Sequence, residues 1–110
     1  MANSKSSGDR YKYATIDTAP GADGFWCEPV SMSGEKASAI FFSHRGTGSA
    51  TPTIQYRCPG DAAWVDYLTT EDLSLGARLK IDDYASGVKW RAGVANGDYT
   101  SGSVTIGLDW

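Results

Sequence analysis

The stretch VKWRAGVANGDYTSGSVTIGLDW, residues 88–110, decides the fold class of this chain. Apolar and polar residues alternate on both sides of Asn96-Gly97, and alternation with a period of two is typical of strands with one buried face. An Asn-Gly pair between such runs is a strong hairpin signal. The pattern predicts two strands, at about 88–94 and 103–110, paired as neighbours, with a bulge or wider loop at 100–102.

Segments upstream of this stretch alternate in the same way. They are ASAIFFSHRG (37–46), TIQYRC (53–58), AWVDYLT (63–69) and ARLKIDDY (77–84). No long stretch has the 3.6-residue period of a helix, and the short connections favour antiparallel pairing. Because each strand has one apolar and one polar face, two sheets packed face to face are expected. We therefore predict an all-β chain, a small antiparallel β-sandwich or jelly-roll-like barrel over residues 37–110.

The first third of the chain has a weaker pattern. MANSKSSGDR, residues 1–10, is polar, and the apolar pieces at 11–16 and 25–30 are separated by the turn cluster APGADG. Residues 1–36 are therefore predicted to form an extended N-terminal arm with possible short strands, and residues 1–10 of it are expected to be flexible or ordered by a partner.

The length and net charge of the chain limit the classes of function that it can have. The chain has 110 residues and a net charge of −3, which suits one domain and disfavours a nucleic-acid partner held through phosphates. No apolar stretch approaches the length of a membrane span, and residues 1–10 lack the apolar middle of a signal peptide. We expect a protein made in a cytoplasm that binds neither nucleic acid nor membrane.

The sequence offers little catalytic chemistry. His44 is the single histidine, and the adjacent Ser43 would point to the opposite face of a strand, so the two are poorly placed to share a proton. Carboxylate pairs at 71–72 and 82–83 match no calcium loop and are interpreted as solvated strand ends. Cys27 and Cys58 are either buried thiols or a disulfide. We expect no catalytic, cofactor or metal site.

At residues 56–69, at 87–110 and in the glycine-rich loop 46–49, the chain resembles small virion proteins of tailed bacteriophages. The resemblance covers residues 38–110 and consists of strands, tryptophans and turn glycines. It implies a β-sandwich with a non-enzymatic role as a capsid decoration or head-fibre protein, or as a tail component. The implied partners are the major capsid protein or another virion protein and further copies of the chain. The implied location is the virion, assembled in the host cytoplasm.

Aromatic and arginine side chains are the best candidates for binding a partner, because both are enriched at interface hot spots. The predicted set is Tyr11, Tyr13, Phe25, Trp26, Arg91 and Trp110. Trp110 either plugs the core or anchors a neighbouring subunit. Arg91 is predicted to lie on a polar face, in a basic strip with Lys89 and Arg78, or to pair with an acid such as Asp109.

A second hypothesis is a carbohydrate-binding module or tail adhesin that stacks glycans on exposed aromatic rings. Trp64 and Tyr67 are candidates for such a platform, and Tyr99 is another. Trp90 falls on the apolar face by alternation, which weakens its candidacy.

Overall fold

A computed structural model describes residues 3–31, 40–69, 76, 78–81 and 87–110. These residues form β-strands connected by turns, with no helix among them. The strands are β1 Ser4–Gly8, β2 Tyr11–Ile16, β3 Phe25–Trp26, β4 Val30–Ser31, β5 Ile40–Gly46, β6 Ser49–Ala50, β7 Thr53–Arg57, β8 Val65–Thr69, β9 Arg78–Ile81, β10 Lys89–Val94, β11 Tyr99–Ser101 and β12 Val104–Asp109.

The strands build two main antiparallel sheets. Sheet I has the order β1-β2-β12-β5-β9. Sheet II has the order β3-β10-β7-β8, and β4 also pairs with β10, next to β3. The short strands β6 and β11 form a separate pair. The predicted all-β class and the β-sandwich are confirmed.

The core lies between the two sheets and is made by the residues that alternation points inward. Sheet I contributes Ala14, Ile16, Ile40, Phe42, Ile81, Val104, Ile106 and Leu108. Sheet II contributes Val30, Ile54, Trp90, Ala92 and Val94. Full burial of a large aliphatic or aromatic side chain stabilises a fold by about 1.5–3 kcal/mol, so this shared layer holds the two sheets together.

The predicted pairing of the two C-terminal strands is wrong. β10 pairs with β3, β4 and β7 in sheet II, whereas β12 pairs with β2 and β5 in sheet I. The Asn96-Gly97 turn does form, with Gly97 at a φ of 90° and Asp98 N–H donating to Ala95 O. The turn reverses the chain without pairing its flanks because β11, which follows it, pairs with β6 instead.

The N-terminal segment supplies strands to both sheets. β2 lies between β1 and β12, with Ala14 opposite Ile106 and Ile16 opposite Val104. β3 and β4 cover one edge of β10. Ala14 and Ile16 have no exposed surface. The described part of the predicted arm, residues 3–31, is therefore integrated into the sandwich.

The burial of Ile16 gives a direct test of this integration. Ile16→Ala should lower the free energy of unfolding by about 2–4 kcal/mol, because it leaves a cavity between the sheets. Chemical denaturation of the whole chain measures this quantity. Thr100→Ala, at an exposed position of β11, is the control and should change it by less than about 0.5 kcal/mol. Equal stabilities of the two variants would contradict the integrated fold.

Candidate functional site

Two of the groups that could carry catalysis, His44 and Cys27, are buried inside the sandwich. His44 is only 1% exposed and lies opposite Ile106 in the β5–β12 pair, on the core side of sheet I. Burial raises the pKa of the Cys27 thiol to about 11, so the thiol is protonated at neutral pH. Cys27 and Cys58 are both free, so the disulfide alternative does not apply.

The described part of the chain has neither a metal-binding cluster nor a membrane-spanning helix. Within the described ranges, no group of three or more His, Cys, Asp or Glu side chains is placed to hold a metal ion. No helix in that part of the chain is long and apolar enough to cross a membrane. The carboxylate pairs at 71–72 and 82–83 lie outside the described residues.

The outer surface of sheet II carries a layer of tryptophans and cations. Side chains alternate along each strand, so the residues next to the inward-pointing ones point outward. On β10 these are Lys89 and Arg91, and the register places them opposite Arg57 and Gln55 of β7. Trp26 comes from the neighbouring strand β3, and Trp64 directly precedes β8. We call Trp26, Arg57, Trp64, Lys89 and Arg91 the Arg–Trp face.

Arg91 is the centre of the Arg–Trp face. Its guanidinium carbon lies 4.5 Å from the centroid of the Trp26 ring and 4.4 Å from that of Trp64. Arg57 also lies over Trp64, at 5.0 Å. Nε of Arg91 donates a hydrogen bond to Gln55 Oε1 at 2.8 Å. Cation–π contacts of this kind contribute about 0.5–2 kcal/mol each, so they hold the two guanidinium groups in place.

The Trp26 ring is positioned by the turn that precedes β3. Its Nε1–H donates to Asp23 O at 2.7 Å. Gly24 has a φ of +74°, and a Cβ at this position would lie 2.9 Å from Trp26 Nε1 and 2.8 Å from Val94 O. A glycine is therefore required for the indole to pack beside Arg91.

The charges of the Arg–Trp face are not neutralised by ion pairs. Among the described residues, the ion pairs are Lys5–Glu28 and Arg78–Asp109, and both lie elsewhere. Burial lowers the pKa of Arg91 from its usual value, and repulsion from Arg57 acts in the same direction. Because arginine loses its proton only far above neutral pH, the Arg91 guanidinium stays charged at physiological pH.

The outer surface of sheet I carries a second group of aromatic and charged side chains. Its members are Tyr11, Tyr13, Phe41, Arg45, Arg78 and Asp109, which we call the Tyr–Arg face. The rings of Tyr11 and Tyr13 stack with centroids 4.9 Å apart. Arg45 lies 4.7 Å from the Tyr13 centroid and Arg78 lies 4.9 Å from that of Phe41. Tyr11 remains 37% exposed.

Asp109 connects the polar groups of the Tyr–Arg face. It accepts two hydrogen bonds from Arg78, at 2.6 and 3.0 Å, and one from the Tyr13 hydroxyl at 3.0 Å. Burial acts to raise the pKa of Asp109, but these donors outweigh it and hold the pKa below its usual value. Burial raises the pKa of Tyr13, and the hydrogen bond to Asp109 raises it further. The Tyr13 hydroxyl therefore stays protonated as a donor.

The predicted partner-binding residues lie on more than one surface. Tyr11 and Tyr13 lie on the Tyr–Arg face, whereas Trp26 and Arg91 lie on the Arg–Trp face. Phe25 lies at the edge of sheet II, with Lys5 Nζ 5.6 Å from its ring centroid.

Trp110 is half-buried and its side chain packs against the core. Its backbone N–H donates a hydrogen bond to Arg10 O at 3.0 Å. It therefore contributes to closing the sandwich, the first of the two roles considered for it. Whether it also contacts a partner stays a prediction.

Some of the finer predictions are confirmed and others are wrong. Trp90 is buried and Arg91 lies on the outer face, as the alternation predicts. The basic strip is wrong in one member, because Arg78 lies on sheet I, where it takes Asp109 as its partner. Sequence reasoning also missed Arg45 and Phe41, which only the register of β5 brings to the Tyr–Arg face.

The candidate glycan-stacking residues have contacts within the chain. Tyr67 is 45% exposed but packs edge-on against Trp90. The Tyr99 hydroxyl donates to the carbonyls of Asp17 and Gly102. Trp64 is in contact with two guanidinium groups. Tyr11, 37% exposed on the outer surface of sheet I, is a further exposed ring.

Comparisons with known proteins return no match: no family model, no curated protein and no solved structure is similar to this chain.

The stacking of Arg91 on two indoles predicts that lysine cannot replace it. Arg91→Lys should lower the free energy of unfolding by about 1–2 kcal/mol, because the contact of the guanidinium with both rings and the hydrogen bond to Gln55 are lost. Urea denaturation followed by tryptophan fluorescence measures this change. Lys89→Arg, on the same strand and face, should stay within about 0.5 kcal/mol. Similar values for both variants would refute a special role for Arg91.

The depressed pKa of Asp109 predicts a pH-dependent contribution to stability. Since the folded pKa is below the unfolded value of about 3.9, the contribution is present above that value and is lost as pH falls through the folded pKa. Asp109→Asn should therefore lower the melting temperature at pH 7 and have a smaller effect at pH 2–3. Thermal denaturation followed by circular dichroism tests this. An effect that grows towards acid pH would contradict it.

Proposed function

We propose that this protein is a non-enzymatic virion structural protein of a tailed bacteriophage, a capsid decoration protein that binds the assembled shell. The observation that carries the proposal is the Arg–Trp face, where two arginines are held on two indoles at the outer surface of a rigid sheet. Tryptophan and arginine are the residues that most often dominate binding energy at protein interfaces. The assignment to a virion comes from the sequence pattern of residues 38–110, whose strands, tryptophans and turn glycines resemble those of small phage virion proteins.

The mechanism is stabilisation by mass action. A protein that binds the assembled shell and not its free subunits shifts the equilibrium toward the shell. The N-terminal segment takes part because it supplies Trp26 to one face and Tyr11 and Tyr13 to the other. Its contacts with the major capsid protein, or with a sister copy, would thus be made from the surface of the sandwich.

A carbohydrate-binding module of a phage tail is the second candidate. The observation that favours it is the exposed Tyr11 ring, stacked on Tyr13 and close to the polar groups of Arg45 and Asp109. An aromatic ring beside hydrogen-bonding groups on a flat sheet can hold a sugar ring. Glycan binding that is lost in Tyr11→Ala and kept in Arg91→Lys would favour this candidate.

Particle composition tests the decoration role. Quantitative mass spectrometry of purified particles from the phage or prophage that encodes the chain should find it in a simple ratio to the major capsid protein. An equal amount of the protein added to lysate without particles, and taken through the same purification, is the control for carry-over. A handful of copies per particle would indicate a tail protein, and complete absence from particles would refute the virion role.

A further inference from the structure

The Arg–Trp face concentrates positive charge on an acidic protein. The chain carries 13 acidic and 10 basic residues. Arg57 and Lys89 are direct cross-strand neighbours, and Arg91 follows two positions later on the same side of β10. Like charges at such positions repel one another, so they lower the stability of the free protein unless a ligand of opposite charge is bound.

The acids near this face do not neutralise it. Asp66 accepts a hydrogen bond from Gln55, and Glu28 is paired with Lys5. Asp61 lines a cleft with Arg57 and Lys89 but forms an ion pair with neither. Asp66 and Asp61 keep their charge close to this face, but within the described part of the chain neither they nor any other acid forms an ion pair with Arg57, Lys89 or Arg91.

The arginines are oriented to hold an anion. Arg91 uses Nε for Gln55, while the structure records no hydrogen bond from its Nη groups, or from those of Arg57, to any described residue. A contact with an indole ring uses none of the guanidinium N–H groups as hydrogen-bond donors, so the remaining N–H groups stay available, and their fork matches a carboxylate. Because the rings already fix the arginines, binding orders fewer side chains than it would for flexible ones.

Shallow clefts lie on both sides of Lys89. One has a volume of about 240 Å³ and is lined by residues that include Arg57, Pro59 and Asp61. The other has a volume of about 370 Å³ and is lined by residues that include Lys12, Glu28 and Pro29. An extended polypeptide crossing β10 would have room for its side chains in both clefts.

We propose that the Arg–Trp face binds an acidic segment of a partner polypeptide, whose aspartate or glutamate carboxylates contact Arg57, Lys89 and Arg91. This inference rests on the proposed function in taking the partner to be a protein. Neutral sugars fit this face less well, because guanidinium groups already lie over the indole rings on which a sugar would stack. A long nucleic acid fits less well because its phosphates would also meet the acidic remainder of the protein.

The probe for the test is a fluorescein-labelled octaglutamate peptide. Its binding to the full chain is measured by fluorescence anisotropy at low salt and at about 300 mM NaCl, where screening should weaken it. The variant is Arg57→Gln with Lys89→Gln. The matched control is Arg10→Gln with Lys80→Gln, which removes the same charge at exposed positions away from the face. We expect the first variant to lose at least about tenfold in affinity and the control less than about twofold.

NMR of the tryptophan side chains gives a second readout that needs no variant. The four indole N–H signals report on Trp26 and Trp64 at the face, and on Trp90 and Trp110 away from it. Titration with octaglutamate should shift the signals of Trp26 and Trp64 and leave those of Trp90 and Trp110 in place. Equal shifts of all four, or none, would overturn the assignment.

The other outcomes are equally decisive. No binding of octaglutamate, or an equal loss in both charge variants, would refute the proposed site. Tighter binding of dextran sulfate, with the same dependence on Arg57 and Lys89, would replace the polypeptide with an anionic glycan. Abundant protein in particles together with no peptide binding would leave the decoration role in place and remove only this inference. Peptide binding with no protein in particles would refute the decoration role and leave the proposed binding site in place.

Discussion

The packing of β10 against β12 is the contact on which the rest of the structure depends. The two strands lie in the interiors of different sheets, and their inward residues, including Trp90 and Ile106, meet in the core. Because side chains alternate along a strand, burying Trp90 and Ala92 forces Lys89 and Arg91 outward, and burying Ile106 and Leu108 forces Asp109 outward. Both candidate faces are thus consequences of one buried layer. A shift of one residue in the register of either strand would turn its buried side chains toward solvent and its exposed side chains toward the core.

The two faces use arginine in different ways. On sheet I, Arg78 forms a bidentate pair with Asp109, so its charge is satisfied within the protein. On sheet II, Arg91 and Arg57 are held by tryptophan rings, which position a guanidinium without neutralising it. The Tyr–Arg face is therefore largely complete in itself. The arginines of the Arg–Trp face form no ion pair among the described residues, so sheet II is the better candidate for binding a negatively charged partner.

Several features could be predicted from the sequence because they depend on local alternation. The β class, the burial of Trp90 and the outward position of Arg91 belong to this group. The predicted pairing of residues 88–94 with 103–110 is wrong, although Asn96-Gly97 is a good turn. The nine residues from Ala95 to Ser103 are enough for the chain to cross to the other sheet. The place of the N-terminal segment was missed for a related reason. Its strands are short, and β2 is held by pairing with β12, about 90 residues away.

By itself, the sequence determined which side of each strand is apolar, the positions of the turns and the scarcity of catalytic groups, since these follow from the identities of neighbouring residues. Only the tertiary structure decided which strands are neighbours, and therefore which side chains meet. Trp26 joins Arg91, and Tyr13 joins Asp109, across 65 and 96 positions of sequence. Such contacts depend on the order of the strands in each sheet. That order is set by the packing of the whole core, so it is not encoded in any short segment of the chain.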